Sequence, residues 1–230
     1  WNLVEDLHTT YLINQKGYKS VYVTQPYVTG HAPKDLRVVY KQRGTWALDT
    51  MRMFIWQPPL FRRGLTIRQR LHYFEIGYCY VVSAVILPGI FLINFYTLLT
   101  NLPMLDGGFW YVVFRFPALV GTLVLFGRFS QGQLTSQIWA GMFPVYLKAS
   151  LSALFYRRKK PSYTVTSKVD VGNRELRLVV PQLLFIAMGF GSVLFHVIAY
   201  GPSMIFWFNV FWVLVMTYWL SPIILKAAMI

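Results

Sequence analysis

The chain has 230 residues, of which 56% are hydrophobic and only 13% charged, and it carries a formal net charge of +14. Globular proteins average about 45–50% apolar and about 25% charged residues, so the composition excludes an ordinary soluble domain. It predicts a membrane-embedded protein with one modest soluble part, whose positive charge suits an anionic membrane or a polyanionic substrate better than nucleic acid.

The first 34 residues are predicted to fold as a helix, a strand and a loop. Residues 5–16 begin with two acids, which suit a helix start, and stop at Gly17. Residues 18–24 alternate and are rich in β-branched and aromatic side chains, so a strand is expected, followed by a Pro/Gly loop at 25–33. This order fits the end of a cytoplasmic α/β domain. Because the chain opens at Trp1, we expect it to be the C-terminal part of a longer protein.

Residues 35–75 are predicted to form interfacial helices. Asp35 suits the N-cap of a helix that ends near Trp56. Prolines then break the chain, and a stretch rich in arginine indicates a cytosolic interfacial segment.

The remainder is predicted to hold two transmembrane hairpins, at 76–127 and 178–230. Each contains two apolar runs of about 20 residues, the length that crosses a bilayer core. The runs lie at about 76–99, 108–127, 178–199 and 204–225. Residues 137–156 are also apolar, but Pro144 and Lys148 interrupt them, so an amphipathic helix in the interface is favoured.

The basic residues test this topology. Twenty of the 22 lysines and arginines lie in residues 1–75 and 128–177, and neither short hairpin turn contains one. By the positive-inside rule, both basic regions are expected in the cytoplasm.

Three short segments stand in the order seen in processive membrane glycosyltransferases of family 2: Glu5-Asp6, residues 42–46 (QRGTW) and residues 163–168 (YTVTSK). The chain resembles the C-terminal half of a cellulose-synthase-like protein of this family, in which the corresponding motifs are TED, QxxRW and FxVTxK. The resemblance covers nearly the whole chain. It implies a mainly α membrane protein with about four transmembrane helices, cytoplasmic interfacial helices and the C-terminal remnant of an α/β, GT-A-like domain in residues 1–34.

The resemblance also implies roles for four residues in the first half of the chain. Asp6 would be the catalytic base, because inverting transfer needs a carboxylate that takes a proton from the acceptor hydroxyl, and Glu5 would bind substrate. Gln42 would contact the donor diphosphate and Trp46 the terminal acceptor sugar, on which an indole stacks well. The alternatives are two acids that merely stabilise a helix start and a tryptophan that anchors an interfacial helix.

Two departures from the family pattern bear on the donor diphosphate. Thr45 stands where the family has an arginine, and Asp49 where it has a glycine. Arg43 lies about 200° from Thr45 round a helix, so we expect it not to replace the missing cation. Arg52 is expected either to neutralise Asp49 at i+3 or to reach the phosphate itself.

Residues 128–177 are expected to hold the interfacial helix and a gating loop. The resemblance places Tyr163, Thr166 and Lys168 in that loop, with the threonine and the lysine contacting the diphosphate. The alternative is a solvated loop beside a lipid-attracting basic run.

The function implied is transfer of sugar from a UDP-sugar, first of all UDP-glucose, to a growing β-linked polysaccharide that is translocated across the membrane. Mg²⁺ is the implied cofactor, with ligands expected in the N-terminal half of the same protein and no metal site in this chain. Further implied partners are the lipid bilayer and accessory subunits, in a multi-pass protein of the plasma or bacterial inner membrane. The rival hypotheses are a synthase of another β-glycan such as chitin, hyaluronan or mixed glucan, a catalytically degenerate partner subunit, and an unrelated transporter.

Overall fold

The computed structural model describes residues 4–21, 23–30, 33, 35–102, 130–157 and 175–229. These residues form eight α-helices, and no strand occurs among them. The helices are α1 (Glu5–Gln15), α2 (Leu36–Trp56), α3 (Ile67–Val81), α4 (Leu87–Thr100), α5 (Ser130–Gly141), α6 (Phe143–Phe155), α7 (Val180–Tyr200) and α8 (Met204–Ala228). The prediction of a mainly α membrane protein is confirmed.

The chain divides into two compact units. The first, called here the α2 unit, comprises Trp1–Val85 and Pro144–Asn173. The second, called the α8 unit, comprises Ile86–Phe143 and Arg174–Ile230. The five segments predicted from the sequence remain predictions as domains, and the two units are described separately.

The α2 unit is held together by a small core between α1, α2 and α3. Tyr11, Met53, Leu65 and Tyr73 are buried against one another, and the rings of Tyr11 and Tyr73 meet edge to face with centroids 5.0 Å apart. The side-chain amide of Asn14 donates to the Tyr73 hydroxyl at 2.8 Å. Helix α1 is therefore fixed to the two helices that follow it.

The α8 unit combines an apolar core with buried hydrogen bonds between helices. Gln182 Nε2 donates to the carbonyl of Gly141 at 2.6 Å, and His196 Nδ1 lies 2.8 Å from the carbonyl of Leu98. Both polar side chains are fully buried, and such bonds replace the water that an apolar surrounding excludes. The core consists of Phe91, Phe95, Leu98, Phe143, Phe206, Val213, Met216 and Leu220.

Three helical stretches in the described part of the chain are long and apolar enough to cross a membrane: Ile67–Thr100, Leu176–Tyr200 and Met204–Ala228. The first is 34 residues long and includes a π-helical turn at Val82–Ile86. They contain three of the four predicted spans. The predicted span at 108–127 lies outside the described residues.

Two local predictions are wrong. Residues 18–24 form no strand where they are described, and Val21 is 85% exposed. A strand needs a partner for its backbone groups, and the described residues offer none. The single helix expected at 137–156 is instead two helices, α5 and α6, with a break at Met142. Taken together as one bent span, these two helices are also long and apolar enough to cross a membrane, which would give four spans in the described residues.

Candidate functional site

Helix α2 displays the residues expected to bind donor and acceptor. Its start is fixed as predicted, because Asp35 Oδ1 accepts the backbone N–H of Val38 at 2.7 Å. One helical turn separates Gln42 from Trp46, so the two share a face. Gln42 is half-buried and Trp46 is 38% exposed. An indole that remains open to solvent on a rigid helix can stack on a ring-shaped ligand.

Arg43 approaches the same face of α2. Its guanidinium carbon lies 5.4 Å from the centre of the Trp46 ring, within the range of a cation–π interaction. The buried phenol of Tyr146 lies beside the same guanidinium. The long side chain of Arg43 thus reaches its i+3 neighbour Trp46. The expectation that Arg43 does not replace the missing cation rested on its angle to Thr45 alone, and it stays a prediction.

Thr45 turns its hydroxyl to its own helix. Oγ1 donates to the backbone carbonyl of Lys41 at 3.0 Å, the i−4 bond that threonine commonly forms inside helices. The side chain at this position therefore carries no charge and directs its proton to the backbone.

Asp49 forms a buried ion pair with Arg52. Their side chains are fully buried, and Arg52 Nη1 lies 2.7 Å from Asp49 Oδ1. The pairing confirms the first of the two roles considered for Arg52. It also means that the carboxylate of Asp49 is paired inside the protein and is not exposed on the surface of α2.

The same end of α2 caps the end of α6. Arg52 Nε donates to the carbonyl of Tyr156 at 2.7 Å, and Trp56 Nε1 donates to the carbonyl of Ala153 at 2.9 Å. The last carbonyls of a helix have no partner within it, so these donors satisfy groups that would otherwise be orphaned. The guanidinium of Arg157 lies 4.8 Å from the centre of the Trp56 ring. The chain positions are far apart, and no pattern in the sequence pointed to this contact.

The predicted base Asp6 lies in the exposed first turn of α1, next to Glu5. Its Oδ1 accepts the backbone N–H of Leu7 at 2.7 Å. The exposed carboxylate of Asp6 is accessible to a substrate hydroxyl, which a general base must be able to reach.

Contacts along α1 show which end of α2 it packs against. The Tyr11 hydroxyl donates to the carbonyl of Gln57 at 2.9 Å. One turn earlier, His8 lies beside the Gln57 side chain and close enough to Asp49 and Arg52 to feel their charges. Both contacts place α1 against the C-terminal end of α2. Burial lowers the pKa of His8 and raises the pKa of Tyr11.

The predicted gating-loop residues Tyr163, Thr166 and Lys168 lie outside the described residues. The described part of the chain contains no group of three or more His, Cys, Asp or Glu side chains that could hold a metal ion. Nothing in the described structure tests the predicted roles of the site residues, but it brings Gln42, Trp46 and the end of α1 that bears Asp6 into one compact unit.

No protein-family model matches the chain. Curated proteins do. The chain is 23% identical over 194 residues to the cellulose synthase 1 catalytic subunit (UDP-forming) of Komagataeibacter xylinus, an alignment that covers 80% of this chain and 25% of that protein. It is 22% identical over 203 residues to the cellulose synthase catalytic subunit (UDP-forming) of Komagataeibacter sucrofermentans, with 84% and 26% covered.

A shorter match of higher identity involves the cellulose synthase catalytic subunit (UDP-forming) of Xanthomonas axonopodis pv. citri. It is 34% identical over 71 residues, which cover 31% of this chain and 10% of that protein. The resemblance inferred from the three motifs is confirmed, and the chain spans about a quarter of the length of the two Komagataeibacter relatives.

Proposed function

We propose that this chain is the acceptor-binding and membrane-spanning part of a processive β-glycan synthase that uses a UDP-sugar. UDP-glucose is the proposed donor and a β-linked glucan the proposed product, passed across the membrane as it grows. The observation that carries the proposal is the solvent-exposed Trp46 one turn from Gln42 on α2, in the same compact unit as the acidic start of α1. Similarity to cellulose synthase catalytic subunits over 80% of the chain supports it.

In the proposed reaction, Asp6 removes the proton from the acceptor hydroxyl while that oxygen attacks the anomeric carbon of the donor. The bond between the anomeric carbon and the diphosphate breaks, and UDP leaves with the electron pair. Trp46 stacks on the terminal sugar of the acceptor and fixes the attacking hydroxyl. Glu5 and Gln42 bind substrate, Gln42 at the diphosphate, and Tyr163, Thr166 and Lys168 belong to a loop that covers the donor.

Magnesium is the proposed cofactor, and it would balance charge on the diphosphate. The described residues of this chain offer no cluster that fits it, so we assign its ligands to an N-terminal half of the same protein and derive no step through it. The growing glycan, the lipid bilayer and accessory subunits complete the proposed set of partners. The proposal includes a multi-pass topology with both large loops in the cytoplasm, where UDP-sugars are available; the concentration of basic residues in those loops supports this orientation.

Purified full-length protein, incubated with magnesium and a panel of UDP-sugars, is expected to release UDP. Replacing Asp6 by asparagine should reduce the rate at least about 100-fold, since general-base catalysis contributes about 10²–10⁴-fold, and should leave UDP binding intact. The preferred donor identifies the sugar and distinguishes a glucan synthase from a chitin or hyaluronan synthase.

A catalytically degenerate partner subunit is the second candidate, because Thr45 supplies no cation and bonds to its own backbone. UDP binding without turnover of any donor would favour this candidate. Absence of both binding and turnover would contradict both proposals.

A further inference from the structure

The face of α2 that carries Trp46 also carries a cation, Arg43, at a position where the family motif requires none. The Arg43 guanidinium lies 5.4 Å from the centre of the indole ring, and the Tyr146 phenol lies beside it. Tyr146 is itself fixed, being fully buried and in edge-to-face contact with Tyr80 at 5.0 Å. The guanidinium of Arg43 thus has two aromatic neighbours, the exposed indole of Trp46 and the buried phenol of Tyr146.

Close backbone packing keeps this part of α2 in place. A Cβ atom at Gly44 would lie 3.2 Å from Cγ1 of Val145, the residue before Tyr146. Helix α2 therefore lies directly against α6 at the residue that follows Arg43. The Arg43 side chain therefore starts from a helix whose backbone is packed against α6 at the next residue.

The two departures from the family pattern leave room for this cation to act. The Thr45 side chain is uncharged, and its hydroxyl is bonded to the Lys41 carbonyl. The Asp49 carboxylate is fully buried and neutralised by Arg52. Of the two departures, the added carboxylate is therefore absent from the exposed face of the helix, and the missing cation at Thr45 is the one that remains.

We propose that Arg43 binds the diphosphate of the nucleotide donor and replaces the cation that the family pattern places at the position of Thr45. This inference rests on the proposed function. A guanidinium has five N–H donors in a planar fork, and a cation–π contact with an indole leaves donors that can bind two phosphate oxygens side by side. Its location beside Trp46 brings the departing diphosphate next to the ring that holds the acceptor.

The test measures binding of UDP, inorganic pyrophosphate and uridine to the purified full-length protein and its variants. Arg43→Gln should weaken UDP and pyrophosphate binding about 10- to 100-fold, as expected for loss of charge-assisted hydrogen bonds. Uridine, which has no phosphate, should bind equally well to the wild type and the variant. Arg43→Lys should retain part of the UDP affinity, because it keeps the charge but loses the fork.

Arg157→Gln is the matched control, because it removes another guanidinium that lies over a tryptophan in the same unit. It should leave UDP affinity within about twofold of the wild type. Unchanged UDP affinity in Arg43→Gln, or an equal loss for UDP and uridine, would overturn the role of Arg43 while leaving the proposed function in place. If the wild type binds neither UDP nor pyrophosphate, the role of Arg43 and the proposed function are both overturned.

Discussion

Replacing Asp49 by glycine, the residue of the family pattern, is predicted to destabilise the α2 unit. The change leaves the Arg52 guanidinium in a fully buried site without the carboxylate that lies 2.7 Å away. Breaking a buried ion pair by removing one partner costs about 3–5 kcal/mol, whereas glycine is only about 0.3 kcal/mol worse than aspartate in a helix interior. The free energy of unfolding should therefore fall by about 3–5 kcal/mol.

Thermal unfolding of the detergent-solubilised protein, followed by tryptophan fluorescence, measures this effect. At about 2–4 °C per kcal/mol for a chain of this size, the midpoint should fall by roughly 6–20 °C. Glu75→Gln is the matched control: Glu75 pairs with His72 at the same i,i+3 spacing, but both side chains are more than 70% exposed. That change should cost about 0–1 kcal/mol.

A double variant separates an unpaired charge from simple loss of packing. Asp49→Leu with Arg52→Met removes both charges and should recover part of the stability that Asp49→Gly loses. Recovery should be incomplete, because the Tyr156 carbonyl loses its bond from Arg52. The argument is refuted if Asp49→Gly melts as Glu75→Gln does, or if the double variant is no more stable than Asp49→Gly.

Two further predictions concern the packing of α1. Burial lowers the pKa of His8 below its usual 6.5, so the unfolded chain takes up a proton at a higher pH than the folded chain does. The free energy of unfolding should therefore fall as the pH is lowered below 6.5. His8→Gln should remove this part of the pH dependence of the melting midpoint. Gly64 and Gly17 both have a positive φ, at 87° and 85°, but a Cβ at Gly64 would collide with the backbone of Gln15, whereas Gly17 faces open space. Alanine should cost about 1–2 kcal/mol of backbone strain at either position and about 1–3 kcal/mol more at Gly64; equal melting midpoints of the two variants would contradict the contact between Gly64 and α1.

The sequence predicted those features that depend on neighbouring residues. The helix from Asp35 to Trp56 was predicted because a cap and a proline boundary are local signals. The strand at 18–24 failed for the converse reason: alternation shows that a segment suits a sheet, but only another strand can form the ladder.

The site was predictable to the same limited degree. The i,i+3 pairing of Asp49 with Arg52 was one of two expectations, but the further bond of Arg52 goes to the carbonyl of Tyr156, which is 104 positions away. Likewise, the contact between Arg43 and Trp46 follows from their spacing once the length of an arginine side chain is considered. The aromatic neighbour that steadies the guanidinium, Tyr146, comes from a helix that the sequence does not connect with this segment.

These contacts show that Thr45 and Asp49, two departures that look alike in the sequence, differ in what they do for the fold. Thr45 and Asp49 both depart from the family pattern in the direction that disfavours a diphosphate, which suggests reverting them together. The Thr45 hydroxyl, however, bonds only to the backbone of its own helix, whereas Asp49 holds a buried arginine that caps α6. Thr45→Arg alone therefore tests whether a second cation strengthens donor binding. Combined with Asp49→Gly, it reports a folding defect before it reports anything about catalysis.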